Sequence, residues 1–111
     1  MSKLNDALKQ ITDPAVADAK AEFQQLIADG KVASQDFVKA SARQLEGWIV
    51  DLSKKELSAE EFEELVGAQK ILAKNFLLSQ SLAARKRAEK LTVNVLNLAA
   101  TKIAPILLAA I

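Results

Sequence analysis

The last 21 residues, "LTVNVLNLAATKIAPILLAAI" from Leu91 to Ile111, carry one charged side chain, Lys102, and constrain the chain more than any other stretch. As one helix at ~1.5 Å per residue they would reach about the ~30 Å of a bilayer hydrocarbon core. On a helical wheel Arg87, Lys90, Asn94, Asn97 and Thr101 fall on one narrow polar line, spaced three, four, three, four. Leu91, Val93, Val95, Leu96, Leu98, Ala99 and Ala100 occupy most of the remaining circumference, well beyond the ~100° stripe of an ordinary surface helix. Such a segment is buried nearly all round, by protein or by lipid.

A solitary membrane span is the weaker of these readings. Lys102 at mid-bilayer costs about 2.5 to 3.5 kcal/mol on an insertion scale, and each large apolar residue returns only about 0.3 to 0.6. The neighbouring Ala, Asn and Thr add little. If Lys102 snorkels or faces a lumen the penalty shrinks, and the basic group Arg85, Lys86, Arg87 and Lys90 suits an anionic surface just upstream. Pro105 removes a backbone donor and clashes with the preceding turn, so a break is expected there.

Elsewhere the grammar is helical. With three Gly and two Pro in 111 residues, and a composition led by Ala, Leu, Lys, Glu and Gln, the chain favours an all-α fold. "SKLNDALKQI" places Leu4, Leu8 and Ile11 at helical spacing behind Ser2 as an N-cap. Asp13 and Pro14 announce a second helix with Val16, Ala19, Phe23, Leu26 and Ile27 on one face, and Gly30 is expected to stop it. A third, starting near Ser34, aligns Phe37, Val38, Ser41, Leu45, Trp48, Ile49 and Leu52. Trp48 is assigned to core packing, with Gly47 beside it leaving room for a close neighbour.

Ser58 and Glu61 form a capping-box pattern flanked by Leu57 and Phe62 as a hydrophobic staple, and Glu60, Glu61, Glu63 and Glu64 suit the positive end of a helix dipole. No Gly, Pro or Asn interrupts "SLAARKRAEK", so one helix is expected from about residue 59 to 104, roughly 46 residues and ~70 Å. The implied organisation is one helical domain, 1–111, in which a helical head, 1–57, carries a protruding helix with an apolar tail, 58–111. Oligomerisation is expected to complete the bundle.

Charge is acidic in the middle and basic ahead of the tail, although the total is +1. The absence of His, Cys and Tyr removes thiol nucleophiles, imidazole bases and most zinc sites, so no enzyme activity and no cofactor are expected. Glu60, Glu61 and Glu64 read as solvated helix-start charge and not as a cation site. "ARKRAEK" lacks the aromatic interleaving of a nucleic-acid surface, and no Gly-rich phosphate loop exists. The N-terminus lacks the apolar run of a secretory signal, which makes the cytoplasm, with or without membrane association, the expected location.

The function read from these features is assembly. A homo-oligomer or a partner helix is expected to meet Leu91, Val95, Leu98, Ile103, Ile106 and Leu107, with Asn94, Asn97, Thr101 and Lys102 as a polar stripe that sets register. The alternative is insertion of residues 91–111 into a membrane as an anchor or oligomeric pore, with Arg85, Lys86, Arg87 and Lys90 on the anionic headgroups.

Overall fold

Several helix boundaries in this chain are set by side chains that take up orphaned backbone groups. The computed structural model describes residues 3–111, and the Ser2 cap lies outside them. Helix α1 is Lys3–Leu8. The Asp13 carboxylate then accepts the Ala15 N–H at 2.9 Å, starting a single 3-10 turn at Pro14–Val16 that leads into α2, Ala17–Lys31. Gly30 does not stop this helix. It lies inside the last turn, where a Cβ would come within 2.8 Å of the Ala42 Cβ, so its role is to let α2 and α3 approach closely.

Helix α3, Asp36–Ser53, buries Val38, Ser41, Ala42, Leu45, Ile49, Val50 and Leu52, and keeps Trp48 half-buried against the core. It ends in a Schellman motif: the Lys55 N–H donates to Leu52 O at 3.1 Å and the Glu56 N–H to Asp51 O at 2.9 Å, with Lys55 at φ 63°. Helix α4, Ala59–Leu78, opens with both halves of the capping box in place. The Glu61 N–H donates to Ser58 Oγ at 3.1 Å, and the Ser58 N–H donates to Glu61 Oε1 at 3.0 Å. The Ser58 N–H, and after it the Ser58 hydroxyl, favour the charged form of the Glu61 carboxyl and hold it below the ordinary glutamate pKa.

The expected helix from 59 to 104 is two helices. The chain turns between α4 and α5, Leu82–Ala110, and the device is serine chemistry rather than Gly or Pro. Ser79 Oγ donates back to Phe76 O at 2.6 Å, and Ser81 Oγ accepts the Ala84 N–H at 3.3 Å as the N-cap of α5. Arg85 fastens the turn by donating from Nε to Leu77 O at 3.0 Å and from Nη2 to Gln80 O at 3.1 Å.

Because α5 folds back, no ~70 Å rod protrudes. The chain measures 41 × 25 × 24 Å with a radius of gyration of 13.5 Å, close to the ~13 Å of a folded 100-residue domain. One apolar cluster takes side chains from all five helices, among them Leu8, Phe23, Leu45, Phe62 and Leu96. Helix α5 packs on α2 and α3 along much of its length and on α4 through its first half. Among the described residues there is no strand.

Nor does α5 break at Pro105. Two π-helical stretches, Lys90–Asn94 and Ala99–Ile103, widen it, and each holds a threonine whose hydroxyl donates four residues back: Thr92 to Ala88 O and Thr101 to Asn97 O, both at 2.7 Å. A hydroxyl competing for that carbonyl loosens the normal ladder. The second stretch includes Thr101, whose carbonyl the Pro105 ring would meet in a regular α-helix, so the wider turn relieves the clash and the helix continues to Ala110.

Candidate docking surface

The tail residues expected to meet a partner lie in the chain's own core. Leu91, Val95, Ile103 and Leu107 are each at most 3% exposed, alongside the fully buried Leu96 and Ala99, while Leu98 and Ile106 are half-buried against the same cluster. Asn94, Asn97, Thr101 and Lys102 all face solvent, so the polar stripe is the outer surface of a core helix. Lys86, Arg87 and Lys90 are exposed at the start of α5. Arg85 is not available in the same way, since the turn carbonyls hold its guanidinium.

By length and composition α5 could cross a membrane or serve as the core helix of a soluble protein. Its inward line is packed, and its outward side combines the polar stripe with Pro105, Leu108, Ala109 and Ala110.

The unsatisfied apolar surface is on α4. Its inner line, Phe62, Val66, Gln69, Ala73 and Leu77, is buried, with Phe76 stacked on Phe37 at a centroid distance of 4.5 Å. The outer side changes character halfway along. Glu60, Glu61, Glu63 and Glu64 occupy the first turns in water, after which Ile71 is 64% exposed, Leu72 53% and Leu78 75%; Leu82, just across the turn, is 82% exposed. Ile71 and Leu78, seven residues apart, share a line of the helix with exposed Asn75, and Leu72 flanks it.

An exposed leucine alone needs no explanation, but a run of them along one helix is the usual mark of a contact surface. Sequence reasoning missed this ridge because "GAQKILAKNFLL" is apolar on both faces and was absorbed into a single long helix. The signal was present: Ile71 and Leu78 fall on the side of the helix opposite Val66, Ala73 and Leu77.

The surface concavities are open, and one beside the start of α4 is lined by Leu52, Leu57, Leu108 and Ile111. Another, about 410 Å³ among α1, α2 and α3, is polar, lined by Lys3, Lys31, Arg43, Glu46, Asp51 and Lys54, and its Lys31 ammonium is already paired with Glu46 at 3.0 Å. Among the described residues, no group of three or more Asp and Glu side chains is placed to hold a metal ion. No known protein family, curated protein or solved structure matches the chain.

Proposed function

We propose that this protein is a non-enzymatic helical assembly module that self-associates or docks a partner helix, and that it does so through the outer face of α4. The observation that carries this reading is the ridge of Ile71, Leu72 and Leu78, three large apolar side chains exposed within eight residues of one helix, with Leu82 exposed just across the turn. The tail contributes indirectly. By filling the core, α5 leaves α4 with a second apolar face that no element of the same chain covers. A photo-crosslinkable residue at position 71, compared with one at solvent-facing position 97, tests the proposal in cells. Adducts should form at 71 and not at 97; equal labelling at both positions, or none, would refute it.

A second reading is insertion of residues 91–111 into lipid, supported by the length and composition of α5 and by exposed Lys86, Arg87 and Lys90 ahead of it. It requires α5 to leave the core and uncover the side chains of α2 and α3 that it packs on. Flotation with anionic vesicles decides this point: protein that stays at the bottom of the gradient, whatever the lipid, ends the membrane reading.

A further inference from the structure

We infer that one end of the bundle, formed by the α2–α3 and α4–α5 turns, binds an anionic lipid surface while α5 stays in the core. This end is distinct from the outer face of α4 and shares only Leu78 with it. The three most exposed large apolar side chains among the described residues, Val32, Leu78 and Leu82, all sit beside these two turns. The turns are neighbours: the Gln35 amide donates to Gln80 Oε1, the Phe37 and Phe76 rings stack behind them, and Ala33, Ser34 and Gln35 share a cleft with Ala83, Ala84 and Arg87.

The charges around these side chains match lipid. Lys74 lies four residues before Leu78 on α4, and Lys86 four residues after Leu82 on α5, so each leucine has a lysine one helical turn back on its own side. A bilayer surface has the same order, hydrocarbon innermost and phosphate one step out. Lys74, Lys86 and Arg87 are exposed, and among the described residues none of them is in an ion pair. The carboxylates nearby are Asp36, exposed at the start of α3, Asp29, which accepts the Gln25 amide, and Glu89 beside Lys90. Lys39, Lys74, Arg85, Lys86, Arg87 and Lys90 outnumber them, and Lys31 is neutralised by Glu46.

At the opposite end Glu56, Glu60, Glu61, Glu63 and Glu64 outnumber Lys54 and Lys55. The two ends are separated by the length of α4, about 30 Å. The bundle is therefore charged lengthwise, and an anionic plane turns its basic, apolar end inward. Val32, Leu78 and Leu82 stand on two separate turns and form no single line for a partner helix, whereas a fluid surface takes each where it stands.

The purified full chain should sediment with phosphatidylcholine vesicles containing about 30% phosphatidylserine and stay in solution with phosphatidylcholine alone. Each lysine at an anionic leaflet is worth about fivefold in partitioning, so Lys74→Ala with Lys86→Ala should weaken binding roughly tenfold or more. Val32→Ser with Leu82→Ser should weaken it comparably. All four positions are exposed, and unchanged far-UV spectra verify that the variants are folded. The chain has no cysteine, so a polarity-sensitive fluorophore at Leu82→Cys reports this end and one at Leu108→Cys reports the exposed side of the tail. On anionic vesicles emission should move to the blue at 82 and not at 108.

No binding to anionic vesicles at about 0.1 M salt overturns the inference, as does binding indifferent to Val32→Ser with Leu82→Ser. A blue shift at 108 overturns it too, because the tail has then left the core. The docking reading fails separately: these variants keep Ile71 and Leu72, so adducts from position 71 in cells are expected whether or not vesicles bind.

Discussion

Replacing Leu96 with Ala tests the central structural claim, that the apolar tail is this chain's own core. Leu96 exposes none of its surface and sits mid-way along α5, where the helix packs on α2. The substitution removes three carbon atoms, worth about 2.4 kcal/mol at ~0.8 kcal/mol each, and the cavity left behind raises the cost to roughly 3 to 4 kcal/mol. Against a total stability of about 5 to 15 kcal/mol the variant should still fold.

Urea unfolding followed by the fluorescence of half-buried Trp48 is a suitable assay, since it reports on the same core. With m of about 1 to 2 kcal/mol/M, the midpoint should fall by roughly 1.5 to 4 M with m unchanged. The control is the adjacent, solvent-facing Asn97→Ala, which should stay within about 0.5 kcal/mol of wild type. If Leu96 instead faced lipid or another molecule it would be exposed in the isolated chain, and the two variants would unfold together. That result would refute the packing described above.

Four other substitutions probe backbone and capping. Gly30→Ala should destabilise by about 1 to 3 kcal/mol, because its Cβ meets Ala42 at 2.8 Å, whereas Gly67→Ala, with nothing within 4 Å of the added Cβ, should stabilise α4 by up to about 1 kcal/mol in thermal melts. Lys55→Gly should raise stability by about 0.5 to 1 kcal/mol by relieving the left-handed φ of 63° at the end of α3. Ser58→Ala should cost about 1 kcal/mol through loss of the α4 cap. The pH dependence follows from Glu61: its pKa is lowered in the folded state, so its contribution is complete above the ordinary glutamate range and is lost as pH falls through the depressed value. Melts of wild type against Glu61→Gln should therefore converge on acidification.

How much of this was legible beforehand depended on whether the signal was local. Asp13 with Pro14, and Ser58 with Glu61, each satisfy a backbone donor two or three residues away, so their spacing carried the answer. The turn at Ser79–Ser81 did not announce itself, because serine is tolerated inside helices and Ser81 lacks the glutamate three residues on that would complete a capping box. Its decisive partner, Arg85, looked like one more charge in a basic run. At Pro105 the rule that proline ends helices was overridden by a π-helical stretch whose threonine hydroxyl has no marker in the hydropathy pattern.

The tail shows where periodicity stops being informative. An apolar arc on a helical wheel reports that a surface must leave water; it carries nothing about which surface covers it. Here the missing piece was topological: once Ser79–Ser81 turns the chain, α5 lies against α2, α3 and α4, and residues suited to a membrane or an oligomer become the interior of one small domain. The same turn moves the surplus apolar surface onto α4. A helix inside an unbroken rod would have had neighbours on neither face, and one folded into a bundle has them on the inner face alone, so Ile71 and Leu78 stay in water where a partner can reach them. The exposed ridge on α4 is thus a consequence of how the core was completed, and the residues that complete that core differ from those the proposal sets against a partner.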